Sequence, residues 1–136
     1  HAELAIGAPL AHFGQGRVQV VSPASGQTLL TIAGQADGER LGMAVVAIGD
    51  HDGDGLSELA VGAPFWNEGL GRVLIVSPIT RKTLATMTGQ GFDNNFGEAL
   101  EREADLTGEG APELAIGAPQ SGATEAVGRL VVVSLH

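Results

Sequence analysis

Apolar and small residues recur in short alternating runs along this chain, and the runs predict strands. Leu4 and Ile6 alternate with Ala5 and Gly7, giving one bulky and one small face. That pattern predicts a strand over 3–8 whose small face meets a close neighbour, and Pro9, which cannot donate to a ladder, ends it. Residues 10–16 read as a loop. Residues 18–21 are nearly continuous apolar positions, as in a strand buried on both faces. Pro23 and Gly26 mark a turn over 22–27, and the Thr-rich run 28–33 has the weaker apolar character of an outer strand. The pattern then repeats with an added strand at its start. Residues 41–49 are apolar with small residues at Gly42, Ala44 and Ala47, and strands follow at 58–63, 71–77 and 83–88. A third round restarts at Phe96-Gly97. Its first segment, 97–103, carries Glu98, Glu101, Arg102 and Glu103 and has helical composition. Its place in the repeat predicts a strand that is wet on at least one face.

The repetition is literal. ELAIGAP begins at Glu3, ELAVGAP at Glu58 and ELAIGAP at Glu113, an offset of 55 residues each time. GRVQVVSP begins at Gly16, GRVLIVSP at Gly71 and GRLVVVS at Gly128, the last displaced by a longer loop. Between 3–23 and 58–78, 13 of 21 positions are identical, which establishes internal duplication. The expected architecture is all-β, built of antiparallel four-stranded units. There is a partial unit at 3–33, a complete one at 41–88 and a partial one at 96–135, within a single region spanning 1–136. Strands buried on both faces imply sheets stacked face to face, as in a β-propeller, with a solenoid of hairpins as the structural alternative. Two and a half blades cannot close a ring, since propellers have at least about four. Pairing with other copies or with the remainder of a larger propeller is therefore expected.

One loop carries candidate chemistry. Residues 50–58 read DHDGDGLSE. Asp50, Asp52 and Asp54 occupy odd positions, so a curled loop turns them onto one centre. Gly53 and Gly55 permit the backbone angles of such a curl, Leu56 offers a backbone carbonyl, and Glu58 closes the loop. Hard oxygen ligands in this number suit Ca²⁺ better than Mg²⁺. Clustered carboxylates repel without a counter-ion, which weighs against a bare acidic turn. The cognate positions in the third unit are Asp105, Thr107, Glu109 and Glu113, a possible second and weaker site. His51 stands at an even position and is expected to point outward.

Composition narrows the partners. A net charge of −9 over 136 residues argues against nucleic acid and anionic membrane surfaces. Cysteine is absent, so no disulfide forms, and no apolar run reaches membrane-spanning length. The chain opens in mid-repeat at His1 with no leader-like segment, which fits an upstream part lying outside it.

Leu41-Gly42 or Phe96-Gly97, then the DxDGDG loop, then Gly-Ala-Pro, resembles the FG-GAP repeat over essentially the whole chain. Such repeats build the propellers of integrin α-subunit headpieces and of many secreted bacterial proteins. The resemblance implies an innermost FG strand and a Ca²⁺ loop at Asp50, Asp52, Asp54, Leu56 and Glu58, joining the first and second strands. It also implies partners docking at the opposite end and an extracellular, non-enzymatic interaction or adhesion scaffold. The family usually has Asp where Glu58 stands, and Glu is longer by one methylene. Two other functions are compatible: a carbohydrate-binding propeller, and a non-catalytic accessory domain of a larger secreted hydrolase. A protein or glycan partner would use Phe65, Trp66 and Asn67, with Phe92 at the same end, because loop aromatics beside amides stack on sugars or anchor proteins. The bland reading of these residues is packing beneath the loop. The repeated Arg17, Arg72 and Arg129 read as structural ties. No Ser elbow, HExxH or P-loop is present.

Overall fold

The computed structural model describes residues 3–90, 95–103, 108–110, 112–119 and 129–135. Among these residues, ten strands form three antiparallel sheets. The first contains β1 (Leu4–Ala8), β2 (Arg17–Val21) and β3 (Thr28–Ala33) in that order. The second is four-stranded, with β4 (Ala44–Gly49), β5 (Glu58–Ala63), β6 (Arg72–Val76) and β7 (Thr83–Thr88). The third contains β8 (Ala99–Glu103), β9 (Glu113–Ala118) and β10 (Arg129–Ser134). Incomplete propeller blades are what the hydrophobic pattern predicts, and these sheets have that form.

The sheets stack because their alternate positions are apolar on both faces. Val18, Val20 and Leu30 of the first unit pack on Leu59, Val61, Ala63, Leu74 and Val76 of the second. Ala60, Val73 and Ile75, on the other face of that second sheet, pack on Leu114, Ile116 and Ala118 of the third. All six residues of β5 are buried as a result. Full burial of each Val, Leu or Ile side chain contributes about 1.5–3 kcal/mol.

Backbone contact between neighbouring units is close at two glycine pairs. A Cβ on Gly7 would overlap the Gly42 carbonyl oxygen, and a Cβ on Gly62 would overlap that of Gly97. Gly42 in turn donates its N–H to Gly62 O at 2.9 Å, and Gly97 to Gly117 O at 3.0 Å. Gly7 and Gly62, the glycines of the first two Gly-Ala-Pro motifs, are therefore the seats for the glycine that opens the next unit's inner strand. These contacts move the start of β4. The predicted strand 41–49 begins only at Ala44, because Leu41 makes an isolated parallel bridge to Gly16 and the chain turns through Gly42. β8 is a strand despite its helical composition. Its backbone pairs with β9 from Ala99↔Gly117 to Glu103↔Glu113, and Glu101 and Arg102 are exposed while Glu103 is half-buried.

An ion pair joins the first and second units. Arg72 Nε donates to Glu39 Oε1 at 2.7 Å, and its Nη2 forms a short contact with the same oxygen. Glu39 Oε2 accepts the N–H groups of Gln35 and Ala36 at 2.9 and 3.1 Å. The Glu39 side chain is fully buried. Arg129 donates to the side-chain amide oxygen of Gln90 at 3.3 Å, whereas Arg17 is exposed.

The predicted loop 10–16 and the connection between the predicted strands 58–63 and 71–77 each contain a four-residue helical turn, α1 (Ala11–Gly14) and α2 (Trp66–Gly69). Both include two consecutive left-handed residues, His12 and Phe13 in one and Asn67 and Glu68 in the other. Such residues cost about 1–2 kcal/mol each for side chains other than glycine, and the hydrophobic pattern carries no trace of them.

Candidate metal centre

The loop between β4 and β5 lies at one end of the second unit, and the β5–β6 connection with α2 lies at the other. The loop's mouth is clamped by Ser57, whose hydroxyl accepts the Gly49 N–H at 2.8 Å and donates to the Glu58 carbonyl at 3.0 Å. Beyond it the backbone curls around its own carboxylates. Asp50 Oδ1 accepts from Gly53 N–H (2.7 Å) and Asp54 N–H (3.1 Å), and its Oδ2 accepts from Gly55 N–H (2.9 Å). Asp52 Oδ1 accepts from Asp54 N–H, and Asp54 Oδ1 from Leu56 N–H. Gly53 and Gly55 have φ of 80° and 96°, the left-handed region that the curl requires and that favours glycine.

The curl brings four carboxylates together. One oxygen from each of Asp50, Asp52, Asp54 and Glu58 lies within 4.8 Å of the others. Glu58 supplies the clearest test of fit. It is fully buried, and its Oε2 accepts the N–H groups of His51 (2.5 Å) and Asp52 (3.2 Å). Its Oε1 has no hydrogen-bond partner, alone among the buried side-chain nitrogens and oxygens of the described residues. A buried carboxylate oxygen without a partner is costly, and a cation among these four groups would satisfy it. The donor set is all oxygen, which suits a hard divalent ion. The residues present fit a metal.

Leu56 is half-buried and enters the loop through its N–H bond to Asp54. The outward course predicted for His51 is modified. The residue is exposed, but its ring folds back so that Nε2 lies 2.7 Å from the Ile48 carbonyl oxygen. In the third unit, Asp105 and Thr107 lie outside the described residues. Gly108 and Gly110 have φ of 80° and 85°, matching Gly53 and Gly55. Glu109 accepts a hydrogen bond from Ser134, and Glu113 is fully buried like Glu58.

At the opposite end, Phe65 and Trp66 are half-buried. Arg40 lies over the Phe65 ring at 4.5 Å and Arg72 over the Trp66 ring at 5.1 Å, and Trp66 packs against the core between the first two units. These rings are engaged within the fold, while Asn67 is exposed. Phe92 lies outside the described residues. The 55-residue offset also places Leu10 and Phe13 on the equivalent connection of the first unit. They are the more open pair, 69% and 81% exposed, and aligning the two connections would have revealed them.

The hydrogen bonds fix the loop's response to acid. The Gly55 N–H, joined by those of Gly53 and Asp54, holds the Asp50 carboxyl below its ordinary value of 3.8, against a smaller opposing effect of partial desolvation. A lowered folded-state pKa contributes stability that is present above the unfolded value and is lost as pH falls through the folded value. In metal-free protein, carboxyl NMR should therefore place the Asp50 midpoint below that of an unfolded-chain aspartate. A midpoint at or above the unfolded value would show that the N–H groups do not outweigh the repulsion of the neighbouring carboxylates.

A family model described as FG-GAP repeat matches residues 43–76. The chain is similar to integrin alpha-PS2 of Drosophila melanogaster, 33% identical over 148 aligned positions that cover 98% of this chain and 10% of that protein. Integrin alpha-PS5 of the same organism is 33% identical, with 74% of this chain and 11% of that protein covered. Integrin alpha-4 of Xenopus laevis is 35% identical, with 71% and 10% covered. The chain thus spans about a tenth of the length of these relatives. Among the described residues, no helix is long and apolar enough to cross a membrane.

Proposed function

The chain belongs to the FG-GAP repeat family, and from that premise we propose that it is a calcium-pinned β-propeller segment of an extracellular interaction or adhesion scaffold. The observation that carries the proposal is the convergence of one oxygen from each of Asp50, Asp52, Asp54 and Glu58, with a buried oxygen of the Glu58 carboxylate left without a partner. The ion's role is structural. It offsets the mutual repulsion of the four carboxylates and holds a loop that joins the inner strand to the buried strand β5. A site of this kind with modest affinity needs abundant calcium, which supports the extracellular placement.

The outer faces of the first and third sheets support a scaffold that continues beyond them. Leu4 and Ile6 are 52% and 45% exposed, while their equivalents Leu59 and Val61 are 6% and 0%. Leu130 and Val132 are 69% and 40% exposed, while Val73 and Ile75 are 0% and 9%. Further repeat units cover these faces, contributed by other copies or by the rest of a longer polypeptide. Light scattering on the isolated chain decides between the sources: a discrete oligomer assigns the cover to copies, and a monomer assigns it to other segments.

Thermal unfolding with calcium and with chelator tests the metal. At a calcium concentration a hundredfold above Kd, the stabilisation is about 2.7 kcal/mol. That corresponds to a rise in melting temperature of roughly 10 °C for a chain of this size. Asp50→Asn should lose most of the rise. An identical melting temperature in calcium and chelator would overturn the proposal.

A further inference from the structure

Among the described residues, the backbone hydrogen bonds to the loop's aspartates come from within the loop itself, and one further bond comes from outside it. Ser77 follows directly after β6, 23 residues from Asp54, and its hydroxyl donates to Asp54 Oδ2 at 3.1 Å. We propose that Ser77 is a positioning residue for the cation site, setting the orientation of the Asp54 carboxylate; this rests on the calcium reading above.

Ser77 is fully buried and held on both sides of its peptide. Its N–H donates to Lys82 O at 3.0 Å, and its carbonyl accepts from Arg81 N–H at 2.9 Å, closing the turn between β6 and β7. Its hydroxyl also accepts from Thr80 N–H at 3.3 Å, so the proton is free to point at the loop. Asp54 Oδ1 is taken by its own loop, through Leu56 N–H. The Ser77 hydroxyl therefore fixes the other oxygen and so the rotation of the whole carboxylate. Each carboxylate oxygen has a second lone pair, so a hydroxyl and a cation can share it. Groups that orient a metal ligand in this way typically change affinity ten- to a hundredfold when removed.

The third unit repeats the arrangement. Ser134 ends GRLVVVS as Ser77 ends GRVLIVS, and Glu109 stands 55 residues after Asp54. Ser134 donates to Glu109 Oε2 at 3.2 Å. The tie persists although the acid has gained a methylene and the intervening connection has lengthened. A contact retained through both changes is tied to the acid of the loop.

The test measures calcium affinity by titration and carboxyl-carbon resonances in the calcium-free protein. Ser77→Ala is expected to raise the Kd of the loop at residues 50–58 about tenfold. It should shift the Asp54 carboxyl resonance in calcium-free protein while leaving that of Asp50 in place. Ser134→Ala should leave this loop's affinity unchanged. If Ser77→Ala does not fold, Ser77→Cys, near in size and a weaker donor, should show the same two effects. Wild-type protein that binds no calcium would overturn the calcium reading, and the resonance would still report the tie. Wild-type protein that binds, with an unchanged Kd in the Ser77 variant, would overturn the positioning role alone.

Discussion

Gly62→Ala is expected to cost about 3 kcal/mol or more, whereas Gly117→Ala, the same substitution in the same motif, costs about 1 kcal/mol or less. A Cβ at Gly62 would overlap the Gly97 carbonyl oxygen. That oxygen belongs to backbone, and the Gly97 N–H is itself held by Gly117 O at 3.0 Å, so the neighbour has little room to yield. At Gly117 the nearest heavy atom to a new Cβ would be the Ala99 side chain at 3.3 Å, which a small shift relieves. Urea unfolding of the two variants beside the parent chain measures the difference. Equal losses would mean that the close approach between the second and third units does not form.

The second large effect is at the buried ion pair. Arg72→Met should destabilise the chain by about 3–5 kcal/mol, because it leaves the Glu39 carboxylate buried without its counter-charge. The variant also removes the guanidinium stacked on Trp66. Adding Glu39→Gln should recover part of the loss. The amide removes the stranded charge yet still offers an oxygen to the N–H groups of Gln35 and Ala36. A double variant no more stable than Arg72→Met would assign the loss to the aromatic stack and to packing. Added salt should change these differences little, since a buried pair is weakly screened.

The sequence exposes the strands so fully because each is written two or three times. β8 shows the strength of that evidence: Glu98, Glu101, Arg102 and Glu103 suggest a helix, yet position in the repeat identifies a strand, and pairing with β9 makes it one. The small face of the first strand was legible as a site of close approach, and Gly7 against Gly42 is that approach. Three features left no pattern to read. Glu39 and Arg72 are 33 residues apart, and neither periodicity nor composition links them. The left-handed turns fall on His12, Phe13, Asn67 and Glu68, and of these only Asn and His are residue types enriched in that conformation. Glu58 reads as a simple closing ligand. In the fold it has two roles, capping the His51 and Asp52 N–H groups with one oxygen and joining its carboxylate to the cluster of Asp50, Asp52 and Asp54.

The most direct test of the calcium-pinned loop is calorimetric titration of chelator-treated chain with Ca²⁺, beside an Asp50→Asn/Asp52→Asn variant. A loop of this donor set should show saturable binding with a Kd of roughly 10⁻⁵ to 10⁻³ M, and the variant should lose at least one equivalent. No saturable binding at millimolar calcium, or binding unchanged in the variant, would contradict a metal centre at Asp50, Asp52, Asp54 and Glu58.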